Sequence, residues 1–524
     1  MRKISLSKKD KSLSTKTTVI LILCAALIIC LGVGVFMFLS IHHVWNTKII
    51  PPTCTSKGYN ESICKYCKEI KRTHYTESLG HNFGEYVLTE QPQELKFGKK
   101  VKTCERCGVT EDLKIEPTST MKKFYYQGDA FNVTSQKIGM GTLTYDYKDI
   151  SEKYYIKLSY LDSSNKRFVK HDYRITFYKD KDLEEEVKVK LMDSSPASAS
   201  WELYGNYFDF YNLRDTVTSS LYKQARSSSK SINNKLKPNF AIANDEPVLF
   251  FMNDGLVGLF RLSRTADAAT LNLKEDQKCA IVRANSNSFQ AYFKNETSNK
   301  GSWRVKYNYI EDDEWIYDSL NDLINFVIEK DGAEFKSGIS KYLDVDGMID
   351  YMITVYNAAA ANNVGRAFTL ATYDGVVWTP TLYDVDQSFG LDNYGELSML
   401  ETALAPTVNE DGTLNPDCSS LLWEKMLNNF YPEISARYNA LKTTVFSTAN
   451  IQNEFQKHKS KVPSSVYKHE KETYSAVDSD TDLKKFIYDF MKTRRSVLDE
   501  FFKISTNANA TTQSTSATQT TTKN

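Results

Sequence analysis

Tyr383-Asp-Val-Asp-Gln-Ser-Phe-Gly390 holds two carboxylates one residue apart, Asp384 and Asp386, with a glycine close behind. Hard oxygen ligands at this spacing suit Mg²⁺, the ion that holds nucleotide phosphates during phosphoryl transfer. If the pair stands at a strand end, alternation aims both side chains at one face, where they repel unless a cation lies between them. A pair that merely caps a turn is the plainer alternative. Phosphoryl transfer would also need a cation against the phosphates and a base near the acceptor hydroxyl.

A second constellation is sulfur-rich. Of nine cysteines, Cys24 and Cys30 lie in an apolar run and Cys279 and Cys418 stand alone, while five fall between Cys54 and Cys107. The knuckles Cys64-Lys-Tyr-Cys67 and Cys104-Glu-Arg-Cys107 predict the tetrad of a zinc ribbon, each giving two thiolates to one tetrahedral ion. Cys54 is then the odd thiol, and His74 or His81 is either a ligand or a surface residue. In an oxidising compartment the same thiols could pair as disulfides, and spacing alone leaves both chemistries open. Either one would staple a small domain together rather than catalyse.

The elements that must position these groups follow from pattern. Arg2, Lys3, Lys8, Lys9, Lys11 and Lys16 precede an apolar run from Val19 to Ile41. At ~1.5 Å per residue that run spans ~33 Å, enough to cross a bilayer core of ~30 Å. A cleaved signal peptide would have a shorter core and a small-x-small site, which Phe36-Met-Phe-Leu-Ser-Ile41 does not offer. The basic flank places the N-terminus in the cytoplasm and everything after Trp45 outside. Alternation over 153–161 and 168–177 predicts paired strands with a Ser163-Ser-Asn165 turn, and Asn253-Asp-Gly255 predicts a hairpin within 248–262. Helical periodicity covers 213–224, 315–329, 345–361, 421–427 and 434–445, and helices dominate to Phe502. Strands first and helices later is the order of an α+β fold with two lobes. From Thr506 the chain is almost all Thr, Ser, Asn, Gln and Ala, a composition that predicts disorder. The expected organisation is a basic tail (1–16), a transmembrane anchor (17–45), a Cys-rich module (46–120), a large domain (121–505) and a disordered tail (506–524). A formal net charge of +1 gives no electrostatic reason to expect nucleic acid as a partner.

Several stretches resemble the CotH family of spore-coat kinases, distant relatives of protein kinases. Ser200-Trp-Glu-Leu-Tyr-Gly-Asn-Tyr-Phe-Asp-Phe-Tyr-Asn-Leu-Arg-Asp215 is similar to its Trp-x-Leu-x-Gly-Asn…Leu-Arg-Asp element. Phe251 to Phe260, Tyr342 to Tyr351, Leu422-Trp-Glu-Lys-Met426 and Ala436-Arg-Tyr438 resemble four others in family order, and Asp384 and Asp386 stand in its Tyr-Asp-x-Asp element. The resemblance spans roughly residues 120 to 500. It implies a small strand-rich lobe and a larger helical lobe, an atypical protein-kinase-like domain with ATP and Mg²⁺ between them. Lys170 and Arg174 match the family's basic strand and so stand as nucleotide-binding candidates, a solvated strand face being the plainer reading. In the run Asn362-Asn-Val-Gly-Arg-Ala367, Asn362 takes the place of the expected catalytic aspartate and Ala367 that of a metal-side asparagine, while Arg366 keeps a positive charge beside the phosphates. Asparagine accepts no proton at neutral pH. The cysteine segment also resembles short modules repeated in extracellular proteins of Gram-positive bacteria.

Three functions follow as expectations. The first is a single-pass plasma-membrane CotH-type kinase acting on secreted or cell-surface proteins. The second is a pseudokinase of that fold, holding nucleotide without transferring phosphate. The third is an envelope adhesion or scaffold protein. The Asp384/Asp386 pair favours the first two, and Asn362 with Ala367 favours the second over the first.

Overall fold

A computed structural model of the chain describes residues 14–129, 137–147, 150–161, 168–229, 245–274, 277–285, 291–294, 301–391, 397, 407–408, 414–415, 420–474 and 482–515. The Ser163 turn, Cys418 and the basic residues before Ser14 lie outside them. The chain divides into two compact units, residues 1–118 and 119–524.

The first unit opens with helix α1 (Thr15–Ile41), whose apolar side chains face outward all round over Thr15–Phe38. It is long and apolar enough to cross a membrane over Thr15–Phe38. The helix ends at Ile41, because strand β1 already starts at Trp45. Strands β1 (Trp45–Ile50), β2 (Gly58–Cys64) and β3 (Ile70–Thr76) form one antiparallel sheet. Strands β4 (Val87–Glu90), β5 (Gly98–Thr103) and β6 (Thr110–Ile115) form a second with the same order. Ile63, Ile70, Val87 and Leu113 are exposed, so neither sheet has an apolar core of its own.

The second unit begins with a closed seven-stranded barrel. Strands β7 (Lys122–Gly128), β8 (Gly139–Tyr147), β9 (Ile150–Tyr160), β10 (Tyr173–Tyr178) and β11 (Ser200–Tyr204) come first, helix α2 (Arg214–Ser228) follows, and β12 (Glu246–Met252) and β13 (Gly255–Arg264) complete it. Alternate residues fill its interior: Phe124 and Tyr126, Ile156 and Leu158, Trp201 and Leu203, Val248 and Phe250, Phe260 and Leu262. Intervening residues of β10, β11 and the second half of β13, among them Arg174, Glu202, Tyr204, Arg261 and Ser263, point away from that interior. Arg174 stands directly opposite Glu202, and Tyr204 opposite Arg261. The hairpin expected at Asn253-Asp-Gly255 is β12–β13, with both Asn253 and Asp254 at positive φ.

After the barrel come β14 (Ala280–Ala284), β15 (Trp303–Asn308), α3 (Glu314–Glu329), α4 (Gly332–Gly338), α5 (Val345–Ala358), β16 (Thr369–Thr372) and β17 (Trp378–Thr381). The four strands form an antiparallel sheet in the order β15-β14-β16-β17. The chain therefore returns to strands after helices, unlike the expected order. Helices α6 (Leu421–Leu441), α7 (Thr448–Lys459), α8 (Ser464–Tyr474) and α9 (Leu483–Thr515) complete the unit. The two helical segments expected at 421–427 and 434–445 are the single helix α6, bent at Phe430 because Pro432 lacks an N–H and crowds the preceding turn. The tail expected to lack structure from Thr506 is helical in its backbone to Thr515, since a helix already formed extends at one bond per residue. The fold is mixed α/β, built on a closed barrel and a second sheet where two kinase-like lobes were expected.

Candidate nucleotide and metal site

The Asp384 turn is braced from two sides. Strand β17 ends at Thr381, and Asp384 adopts a left-handed φ of 57°. The pair therefore leaves regular strand alternation before it begins, yet both carboxylates line one cavity. Beneath the turn, the N–H of Val385 donates to Asp215 in the first turn of α2 (3.1 Å). Ser388 Oγ donates to Val385 O (2.8 Å), and the N–H of Phe389 donates to Ala358 O at the end of α5 (2.7 Å). The Trp-Glu-Leu-Tyr-Gly-Asn…Leu-Arg-Asp stretch accounts for the rest of the support. Glu202 accepts from Tyr204 (2.7 Å) and Tyr383 (2.9 Å) hydroxyls and from Arg174 (2.8 Å). Asp209 caps α2 by accepting from the N–H groups of Leu213 and Arg214, both at 2.8 Å, and pairs with the Arg214 guanidinium at 2.6 Å.

The cavity encloses about 590 Å³. One wall is the polar outer face of β10 and β11, with Arg174 and Glu202; the other is β14 and β15, with Arg283, Arg304 and Lys306. The segments 362–367 and 383–387 form part of its lining. Arg283 pairs directly with Asp384 and lies over the Tyr383 ring, 4.8 Å from its centroid. Burial works against ionisation of Asp384, but Arg283, Arg261 and Lys306 hold it below the usual carboxylate range. Asp386 goes the other way. Burial, then the negative Asp384, Asp215 and Asp172, push it well above that range. Asp215 rises to about 6, chiefly by burial, with Arg261 opposing. Burial, followed by Arg283, brings the Lys306 ammonium down to about 8.

Four carboxylates crowded this way are short of positive charge at Asp386, which fits a divalent cation there. One Asp384 oxygen meets Arg283, leaving the other for a metal. The Nε atoms of Arg174 and Arg283 are buried with no hydrogen-bond partner, which fits an anion between the walls.

A sequence model described as CotH kinase protein matches residues 162–498, well over half of the chain. The chain belongs to the CotH kinase family. A search of curated proteins gave no match. The family match takes in every cavity residue named above, together with Lys170, which the resemblance had placed at the nucleotide.

Of the residues read from sequence, the CotH domain brings Asp384, Asp386, Asn362, Arg366 and Arg174 to this cavity. It does not bring Lys170. That residue lies in the bend before β10 and is buried, donating to Glu470 of α8 (2.5 Å) and to Leu259 O (2.6 Å). Asn362 sits in a short 3-10 turn after α5 and donates through Nδ2 to Gln387 Oε1 (2.5 Å). The C-cap of α5 itself is Ala359, at φ 52°. Asp344 caps α5 and pairs with Arg226 (3.0 Å), and neither it nor Asp346 lines the cavity. Sequence reasoning missed Asp172, Glu202, Arg283 and Lys306. A lone arginine inside Ala280-Ile-Val-Arg-Ala284 and the alternation of Trp303-Arg-Val-Lys-Tyr307 were the available signals.

The predicted cysteine tetrad is not assembled. Cys104 and Cys107 gather with Cys54 and His81, whereas Cys64 and Cys67 gather with His43. Each knuckle is the turn of a hairpin in its own sheet, β2–β3 or β5–β6, so the two gather different partners.

Proposed function

We propose that this CotH-family protein binds a Mg²⁺–nucleoside triphosphate, ATP first among them, in the cavity between the barrel wall and the second sheet. It does so as a membrane-anchored protein with its bulk outside the cell. The observation that carries the reading is the convergence of Asp384 and Asp386 with Arg174, Arg283, Arg304, Lys306 and Arg366 on one cavity of about 590 Å³. Mg²⁺ on Asp384 and Asp386 would neutralise phosphate charge. Arg174 and Arg283 offer buried donors to phosphate oxygens from opposite walls. Tyr383, tied to Glu202 and Tyr204, fixes the start of the Asp384 turn.

Phosphoryl transfer to secreted or surface proteins is the weaker part of the reading. Asn362 can donate and accept hydrogen bonds but cannot take a proton, and its amide is already engaged by Gln387. A missing general base costs ~10²–10⁴ in rate. Binding without rapid transfer is therefore the expected state, with a scaffold role for the bound form.

The test uses the full chain in detergent. Mg²⁺·ATP should raise the melting temperature of the CotH domain, and Asp384→Asn should remove the shift. With labelled ATP and a secreted-protein extract, transfer should be slow and should rise in Asn362→Asp. A melt unmoved by Mg²⁺·ATP would overturn the reading and leave a contact-only protein.

A further inference from the structure

We infer that the Cys-rich unit is a tandem metal module in which Cys54 of the first repeat completes a zinc site in the second, formed by Cys54, His81, Cys104 and Cys107. The repeat is visible in the sequence once the two sheets are superposed in order. Pro52 and Pro92, Gly58 and Gly98, Cys64 and Cys104, and Cys67 and Cys107 are each 40 residues apart. Each sheet is preceded by a His-x-aromatic pair, and in each the imidazole lies against the ring, His43 on Trp45 at 5.0 Å and His81 on Phe83 at 5.3 Å.

The ligand atoms have the spacing of one tetrahedral ion. Cys54 Sγ lies 3.8 Å from Cys104 Sγ, and Cys107 Sγ lies 3.4 Å from His81 Nδ1. All four ligand atoms fall within 4.8 Å of one another. Thiolates ~2.3 Å and an imidazole ~2.0–2.1 Å from a tetrahedral zinc would be ~3.8 Å (S to S) and ~3.6 Å (S to N) apart. A bonded sulfur pair would stand ~2.05 Å apart.

The backbone is shaped for thiolates. The N–H groups of Arg106 and Cys107 point at Cys104 Sγ, as those of Tyr66 and Cys67 point at Cys64 Sγ. Each knuckle is closed by a left-handed residue, Lys68 at φ 63° and Gly108 at φ 74°, donating to the carbonyl of the first cysteine. Amides aimed at a metal-bound sulfur stabilise its negative charge. Cys54 and Cys104 are buried in a unit whose strands expose most of their apolar side chains, so a metal would supply cohesion that packing does not.

The pattern also explains why Cys54 is unpaired in the sequence. Its counterpart in the second repeat is Glu94, 40 residues on, so donation runs once, from the first repeat to the second. The first repeat's own set has three members. His43 Nδ1 lies 3.3 Å from Cys67 Sγ, and His43 Nε2 meets Glu69 at 3.3 Å, the carboxylate–imidazole arrangement that orients a ligating histidine. A three-ligand set leaves one position open, so this site should hold zinc more weakly.

The experiment uses the full chain in detergent, purified under reductant without chelator. Elemental analysis after desalting should find one tightly held zinc per chain, with a second equivalent taken from added Zn²⁺ and lost to a mild chelator. Thiol alkylation read by peptide mass spectrometry should spare Cys54, Cys104 and Cys107 until a strong chelator is added. Cys54→Ser should lose the tight equivalent, and Cys64→Ser should keep it. Loss of the tight zinc in Cys64→Ser with retention in Cys54→Ser would instead mark a single ribbon tetrad and overturn the assignment. So would a zinc-free chain with Cys54 in a disulfide. Protection in the unmodified chain decides the matter even where a variant fails to fold.

Discussion

At the scale of single residues, the cavity is defined by groups displaced from their usual protonation. Asp386 is raised well above an ordinary carboxylate and Asp215 to about 6, so the folded state binds protons that the unfolded chain releases near pH ~4. The associated stability is present below that pH and is lost as pH rises through 6 and beyond. A divalent cation at Asp386 removes the same repulsion. The stabilisation by Mg²⁺·ATP, read as a melting-temperature shift, should thus be larger at pH 7.5 than at pH 5.5. Asp386→Asn should raise the melting temperature of the metal-free protein at neutral pH while abolishing the response to Mg²⁺. A purely structural Asp386 would lose stability in that variant instead. Lys306 gives an independent handle. Held at about 8 by burial and Arg283, it is only partly charged near that pH, and phosphate arriving beside it should draw a proton on. Nucleotide binding at pH 8 should take up protons, seen as a dependence of calorimetric heat on buffer ionisation enthalpy, and Lys306→Met should remove the uptake. The Asp384/Asp386 pair was legible in the sequence because its spacing is local. Glu202 and Arg283 were not, because their meaning comes from neighbours on strands far apart in the chain.

At the scale of elements, the motif around Asp209 does most to place the site. Asp209 lies in the loop between β11 and α2, satisfies two N–H groups at the start of α2, and faces a fully buried Arg214. Helix α2 then carries Asp215 beneath the Asp384 turn. Asp209→Ala removes a cap worth ~1 kcal/mol and the carboxylate facing a buried guanidinium, a loss of ~3–5 kcal/mol. Urea denaturation of the CotH domain should show a midpoint lowered accordingly with an unchanged slope. Asp209→Asn keeps the cap acceptor and should recover part of the loss. Hairpin β12–β13 and helices α2, α3 and α5 follow from turn residues and apolar period, and the sequence marks them within a few residues. Barrel closure does not follow. It depends on β12 pairing in parallel with β7, more than a hundred residues earlier, and no local pattern encodes that partner. The partner of Lys170 was hidden for the same reason, since Glu470 lies 300 residues away.

At the scale of the whole chain, the apolar helix sets where the other parts work. Its side chains find no cover among the described residues over Thr15–Phe38, and a lipid environment is what its composition calls for. The sulfur clusters constrain the orientation less than the charges do, because zinc-bound thiolates resist oxidation on either side of a membrane whereas positive-inside bias acts on insertion itself. With Arg2, Lys3, Lys8, Lys9, Lys11 and Lys16 ahead of the helix, that bias favours the orientation we propose, with the N-terminus in the cytoplasm. The chain should therefore stay in the membrane fraction through alkaline carbonate washing, and protease added outside intact cells should remove the CotH domain. Replacing those six basic residues with Gln should weaken the bias and leave a protected fraction. Release by carbonate would point to a cleaved leader, and full protection of an unmodified, membrane-held chain would reverse the orientation. Either outcome bears on the proposed nucleotide site as well, because the side of the membrane on which the cavity lies sets the nucleotide supply it meets.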